Sequence, residues 1–133
     1  MKNITSKEEF VLEGLDYFTV DPVNRRCTNI NTKNLDLCQY QPTKTSEGCF
    51  IGRYLTKEQA ERGDNGDLEL SELCQLVPSL NKLGDLLPLR CQVLHDRSIN
   101  WDNNGLSSEG KEFLSTIIDQ FNMDKSLFTK YLN

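Results

Sequence analysis

Caps and prolines cut the apolar periodicity of this chain into short runs, and that punctuation constrains its fold more than any other feature. Ser6 followed by Glu9 has the form of a capping box, in which each side chain satisfies a backbone N–H that the first helical turn leaves unpaired. Phe10, Val11, Gly14, Leu15 and Phe18 then recur at helical spacing, and Asp21-Pro22 ends the run because proline disfavours helical geometry in the residue before it. The spacing predicts a first helix closing near Thr19. Thr56 with Gln59 is a second capping box, opening a short helix that Gly63 is expected to end. Leu68, Leu70, Leu73, Leu76 and Val77 predict a helix closing before Pro78, and Leu80, Leu83, Leu86 and Leu87 a shorter one around Gly84. Pro88 suits the first position of the next helix, over residues 89–95, where its missing N–H is no loss. Ser107 or Ser108 caps a helix bearing Phe113, Leu114, Ile117, Ile118 and Phe121, and Asp124 caps a last turn with Leu127, Phe128, Tyr131 and Leu132.

Between the first two capping boxes the pattern changes. Residues 23–46 are rich in Asn, Thr and Lys, with short candidates for extended structure at 26–30 and 37–41, and residues 42–48 read as a turn or loop. Residues 49–55 place Phe50, Ile51, Tyr54 and Leu55 on what reads as a third, half-buried strand. A sheet this small must lean on helices. The expected fold is therefore α+β: a mainly helical single domain over 1–133 with a small antiparallel β-sheet near residues 26–55. At 133 residues such a chain buries roughly two-thirds of its unfolded surface and needs no staple. No internal repeat or low-complexity tract divides it.

Charge and cysteine usage narrow the partners. A net charge of −5 repels a phosphate backbone unless basic residues cluster, so double-stranded nucleic acid is an unsuitable partner. No apolar run approaches the ~20 residues a membrane span requires, and the N-terminal stretch lacks the apolar core of a secretory signal. The expected location is the cytoplasm, where Cys27, Cys38, Cys49, Cys74 and Cys91 stay reduced as small buried hydrophobes. In that setting Asn3-Ile4-Thr5 is no glycosylation site, and Asp64-Asn65-Gly66-Asp67 lacks the oxygen ligands of a calcium loop.

Two stretches carry the residues with chemical potential: Gly48-Cys49-Phe50-Ile51-Gly52-Arg53-Tyr54, and Leu94-His95-Asp96 through Asn100-Trp101, which hold the only His and the only Trp. Cys49, His95 and then Asp96 or Asn100 follow the order of nucleophile, base and orienting residue in a thiol hydrolase or transferase. A nucleophilic thiol needs a lowered pKa, and Cys49 gains a helix dipole only if residues 50–55 are helical rather than extended. Cys27, Cys38 and Cys49, eleven residues apart, make with His95 a Cys₃His set for zinc, although no tight C-x₂₋₄-C knuckle is present; the leading expectation is no cofactor. As structural residues, His95 offsets a helix C-terminus and Trp101 plugs the core under its loop. As ligand-binding residues, Arg53 and Arg97 supply cationic donors, His95 a polar anchor and Trp101 a stacking surface, around a pocket between the Cys49 segment and the His95–Trp101 bend.

The N-terminal helix, Cys38-x-Tyr40, Cys49-Phe50-Ile51-Gly52, the helical middle, Leu94-His95-Asp96 and the Trp-containing loop together resemble a group of small uncharacterised proteins encoded by tailed bacteriophages and prophages. The resemblance covers most of residues 10–121, with Phe50 where the group carries a small residue. It implies a host-directed accessory protein without enzymatic activity, whose partner is a host defence protein or a small nucleotide signal that it sequesters. Self-association into a homo-oligomer is left open. A cysteine-dependent enzyme and a zinc-stabilised interaction module are the alternatives.

Overall fold

The computed structural model describes residues 4–26 and 39–133, most of them helical. The first helix, α1 (Lys7–Val20), buries the predicted face in full: Phe10, Val11, Gly14, Leu15 and Phe18. Ser6 Oγ accepts from the Glu9 N–H at 3.1 Å. The return half of the box moves one residue outward, because the Glu9 carboxylate accepts from the Thr5 N–H at 3.2 Å and from the Thr5 hydroxyl rather than from Ser6. Asp21 then breaks the chain and caps the short α2 (Pro22–Arg25), accepting from the Asn24 N–H at 3.2 Å.

In α3 (Lys57–Asp64) the capping box is reciprocal: Gln59 N–H donates to Thr56 Oγ1 at 3.2 Å and Thr56 N–H to Gln59 Oε1 at 2.9 Å. Gly63 does not end this helix. It is required by packing, since a Cβ there would lie 2.8 Å from the Tyr40 ring and 3.0 Å from Leu73 Cδ1. The helices α4 (Leu70–Leu76), α5 (Pro78–Asn81) and α6 (Leu86–Asp96) follow. Gly84, at φ +79°, is a turn between α5 and α6 rather than the middle of a helix. Pro88 is the third residue of α6, not the first. The cost is the same, because the first α6 bond runs from the Leu89 N–H to the Asp85 carbonyl at 3.2 Å, and no N–H before it has a helical acceptor.

Past α6, a 3₁₀ turn (Ser98–Asn100) leads into a hairpin of β1 (Trp101–Asp102) and β2 (Gly105–Leu106), paired Trp101 to Leu106 and Asp102 to Gly105. Ser107 caps α7 (Ser108–Gln120), accepting from the Gly110 N–H at 3.1 Å. Asp124 caps a 3₁₀ turn (Lys125–Phe128) that runs into α8 (Thr129–Leu132).

The antiparallel sheet among the described residues is thus this two-stranded hairpin, not a sheet near 26–55. Residues 27–30, 37 and 38 of the two candidate strands lie outside the described residues. Residues 49–55, expected as a strand, form a helical turn passing into a 3₁₀ turn (Gly52–Tyr54), with Arg53 N–H on the Cys49 carbonyl at 3.3 Å and Tyr54 N–H on the Ile51 carbonyl at 2.9 Å. The reason is periodicity. Phe50, Ile51 and Tyr54 are all buried, and positions i, i+1 and i+4 share one side of a helical turn, whereas a strand would send Phe50 and Ile51 to opposite faces. Gly52 permits the turn to lie on the Tyr40 backbone, where a Cβ would be 2.3 Å from the Tyr40 carbonyl oxygen.

Phe50 takes its place against Gly14 of α1, where a Cβ would fall 2.1 Å from the tip of the ring. Phe10 and Phe18 flank it, with ring centroids at 5.3 and 5.8 Å. Fully burying one such side chain contributes about 1.5–3 kcal/mol, so this aromatic cluster ties the 49–55 turn to α1. Among the described residues no helix is long and apolar enough to cross a membrane.

Candidate functional site

At the C-terminus of α6, three side chains satisfy carbonyls that the helix leaves open. Asn100 Nδ2 and Trp101 Nε1 both donate to the Leu94 carbonyl, at 3.1 and 2.9 Å. Arg26 Nε and Nη2 donate to the His95 carbonyl at 3.0 and 2.9 Å, and Nη2 reaches the Asp96 carbonyl at 3.3 Å. The Arg26 guanidinium lies 5.6 Å from the Trp101 ring. Arg26 therefore does the work expected of His95, meeting the negative end of the helix with a fixed positive charge.

His95 is fully buried, its ring edge-on to Phe18 at 4.7 Å. Its Nδ1 lies 2.9 Å from Asp96 Oδ1, and Nε2 has no hydrogen-bond partner. Burial drives its pKa below the ordinary histidine value, against the opposing pull of Asp96. A neutral ring with Nδ1–H on Asp96 satisfies this geometry, so the side chain is not the imidazolium expected at a helix end. Gln92 links the two conspicuous stretches: its Oε1 accepts from the Ile51 N–H at 3.1 Å, and its Nε2 donates to Asp96 Oδ1 at 2.8 Å.

Cys49 is buried, and its Sγ accepts from the Gly52 N–H at 3.4 Å. The thiol does sit at the start of a helical turn, but the 3₁₀ element there has three residues and adds little dipole. No hydrogen bond joins Cys49 to His95; the imidazole is oriented by Asp96, and Asn100 serves the helix end instead. Of the residues named for zinc, Cys27 and Cys38 lie outside the described residues. Among the described residues no group of three or more His, Cys, Asp or Glu side chains is placed to hold a metal ion.

Of the four candidate ligand-binding residues, three gather around one ring and Arg97 stands apart. His95 and Trp101, 0 % and 8 % exposed, meet Arg53 around the Phe18 ring, which lies 6.3 Å from Trp101 and 5.3 Å from the Arg53 guanidinium. Phe18 fills the space where the pocket was expected. Arg97 is exposed and lines a different, open groove with Ile99, Glu109 and Glu112. Arg53 borders a cleft of about 400 Å³, whose walls include Pro42, Leu55 and Ala60 on the apolar side. Gln41, Glu47, Thr56 and Lys57 line the rest of it.

Behind that cleft, the Arg53 side chain is 1 % exposed and pairs through Nη2 with Glu13. Glu13 Oε1 also accepts from the Tyr54 hydroxyl at 2.6 Å. Burial and the Glu13 carboxylate push the Tyr54 pKa up, so the phenol stays a donor. The Arg53 guanidinium lies 4.1 Å from the Tyr17 ring, and Arg25 lies 4.6 Å from the same ring. Arg53 Nε is 3.7 Å from Glu47 Oε1, and neither Nε nor Nη1 has a hydrogen-bond partner.

Sequence reasoning missed the roles of Glu13, Asp64 and Gln92, and Arg26, a candidate anion-binding arginine in the sequence, instead serves the end of α6. Asp64 is the clearest omission: its carboxylate accepts from the Tyr40 N–H at 2.7 Å, the Gln41 N–H at 3.0 Å and the Gln41 side-chain amide at 2.9 Å, seating one wall of the cleft on the end of α3. Only Gln92 with Asp96 carried a signal, the i,i+4 Gln–Asp spacing that places two side chains together on a helix. No family model, no curated protein and no solved structure matches the chain.

Proposed function

We propose that this chain is a phage or prophage accessory protein that acts on the host by binding, without catalysis, and that its partner is a small nucleotide signal. The phage frame rests on the resemblance carried by Cys49-Phe50-Ile51-Gly52 and Leu94-His95-Asp96. The observation that supports binding over catalysis is the commitment of the reactive groups. The Cys49 thiol and the His95 imidazole are both fully buried, and their hydrogen bonds go to Gly52 and Asp96. The cleft at Arg53 favours a small ligand, because about 400 Å³ falls within the range of small-molecule sites and combines apolar walls with cationic donors.

The test is a thermal-shift screen of the purified chain against cyclic and ADP-ribose-type nucleotides. Ligand at ~100 times its dissociation constant adds about 2.7 kcal/mol of stability, a rise in melting temperature of several degrees. A flat response to every nucleotide overturns the nucleotide reading and turns the search to a host defence protein as partner.

A further inference from the structure

We propose that the Arg53 cleft is a seat for one phosphate group carried on a small apolar or planar body, with Lys57, the first turn of α3 and Arg53 as its donors and Glu47 as the carboxylate it displaces. This deepens the binding reading and rests on it.

Three observations converge. First, the capping box of α3 uses the N–H groups of Thr56 and Gln59, while those of Lys57 and Glu58 have no acceptor among the described residues. The start of this eight-residue helix, at Thr56 and Lys57, lines the cleft and brings the positive end of the helix dipole to it. Second, Lys57 stands at the same point, exposed and without an ion pair among the described residues. Third, Arg53 keeps Nε and Nη1 unpaired although its side chain is 1 % exposed. A buried guanidinium gains strongly from an acceptor that reaches those nitrogens. Glu47 approaches it from the cleft side, at 3.7 Å from Nε, too far for a hydrogen bond.

Arg53, Thr56 and Lys57 all border the cleft, and a phosphate offers such a set of donors three oxygens where a carboxylate offers two. Glu13 does not compete, since both its oxygens are engaged by Arg53 and Tyr54. Glu47 does compete: its side chain, 55 % exposed, lies 3.7 Å from Arg53 Nε. Pro42, Leu55 and Ala60 give the ligand body an apolar wall.

The experiment titrates the full chain with inorganic phosphate, adenosine, and the monophosphates of adenosine, guanosine, cytidine and uridine, by calorimetry. At least one monophosphate should bind about tenfold more tightly than inorganic phosphate or adenosine. Lys57→Glu, at an exposed position, should weaken it by about tenfold or more, and Glu47→Gln should tighten it about threefold. Arg53→Lys tests the guanidinium itself, and because it is buried its melting curve is read first. If nucleotides bind but Lys57→Glu and Glu47→Gln bind as the parent does, the seat is wrong and the nucleotide reading stands. If no monophosphate binds while a cyclic or ADP-ribose-type nucleotide shifts the melting temperature unchanged in Lys57→Glu, the seat again fails alone. Silence from every nucleotide overturns both.

Discussion

Gly14→Ala should destabilise this protein even though alanine is the better helix former. In an exposed helix interior the exchange gains about 1 kcal/mol. Here the new Cβ would lie 2.1 Å from Phe50 Cζ and 2.5 Å from both Cε atoms. The ring cannot yield cheaply: it is fully buried, with Phe10 at 5.3 Å and Phe18 at 5.8 Å between centroids. Overpacking of this kind costs about 1–3 kcal/mol for a mild insertion, and a contact this short belongs at or beyond the upper end. The expected net loss is about 2 kcal/mol, read from urea unfolding followed by the fluorescence of Trp101, the single tryptophan. Phe50→Ala alone should cost about 3–5 kcal/mol through its cavity. In that background the alanine at 14 should become neutral or favourable, giving a coupling of about 2–3 kcal/mol in the double-mutant cycle. If Gly14→Ala is as stable as the parent, or its effect is unchanged without the Phe50 ring, the packing of the 49–55 turn on α1 has been misjudged.

Arg26→Ala should cost about 2–4 kcal/mol, since it strips charge-assisted bonds from the His95 and Asp96 carbonyls, and Arg26→Lys should recover only part of it; chemical denaturation measures both. Protonating buried His95 opposes folding: its folded pKa is depressed, so below about pH 6.5 the unfolded chain binds more protons and stability falls with falling pH. Comparing unfolding free energies between pH 7.5 and 5 should show a slope that His95→Gln flattens, and an unchanged slope would shift the explanation to the carboxylates. Iodoacetamide at neutral pH should label Cys49 and Cys74 slowly in the native protein and quickly in urea, both being buried and Cys74 held at about 12 by desolvation. Rapid native labelling of Cys49, located by peptide mass, would revive the thiol-enzyme alternative. Thr56→Ala should cost about 1 kcal/mol by opening the capping box of α3.

Local signals in the sequence were legible where one element decides the outcome. The five apolar positions of α1, the cap at Thr56, the helix end at His95-Asp96 and the start of α7 at Ser107 all follow from spacing and capping within a few residues. The 49–55 segment is ambiguous in sequence because Phe50, Ile51, Tyr54 and Leu55 satisfy strand composition as well as helical spacing, and the helical period decides its form. The hairpin escaped notice because its strands are two residues each, held as much by Trp101 on the Leu94 carbonyl as by pairing. What no local pattern carries is the set of long-range polar contacts. Arg26 meets His95 across 69 residues, Arg53 meets Glu13 across 40, and Asp64 meets Tyr40 across 24.

Those contacts also set the surroundings of the rare residues apart from those of the Arg53 cleft. The single His and the single Trp attract attention in the sequence, yet a small domain with few aromatics places such residues where burial is greatest, and here both pack on Phe18. The residues bordering the Arg53 cleft are common types: Gln41, Thr56, Lys57 and Glu47. Their significance depends on position, because Asp64 seats the 40–41 backbone on α3 and Glu13 holds Arg53 beneath the cleft wall. Removing either carboxylate should therefore disturb the cleft while leaving the His95 cluster in place, since among the described residues the two regions meet at Phe18 and no ion pair joins them. Asp64→Asn is the cleaner of the two perturbations. It keeps the shape of the side chain while weakening the bonds to Tyr40 and Gln41, so amide exchange should rise at residues 40 and 41 and stay unchanged in α6.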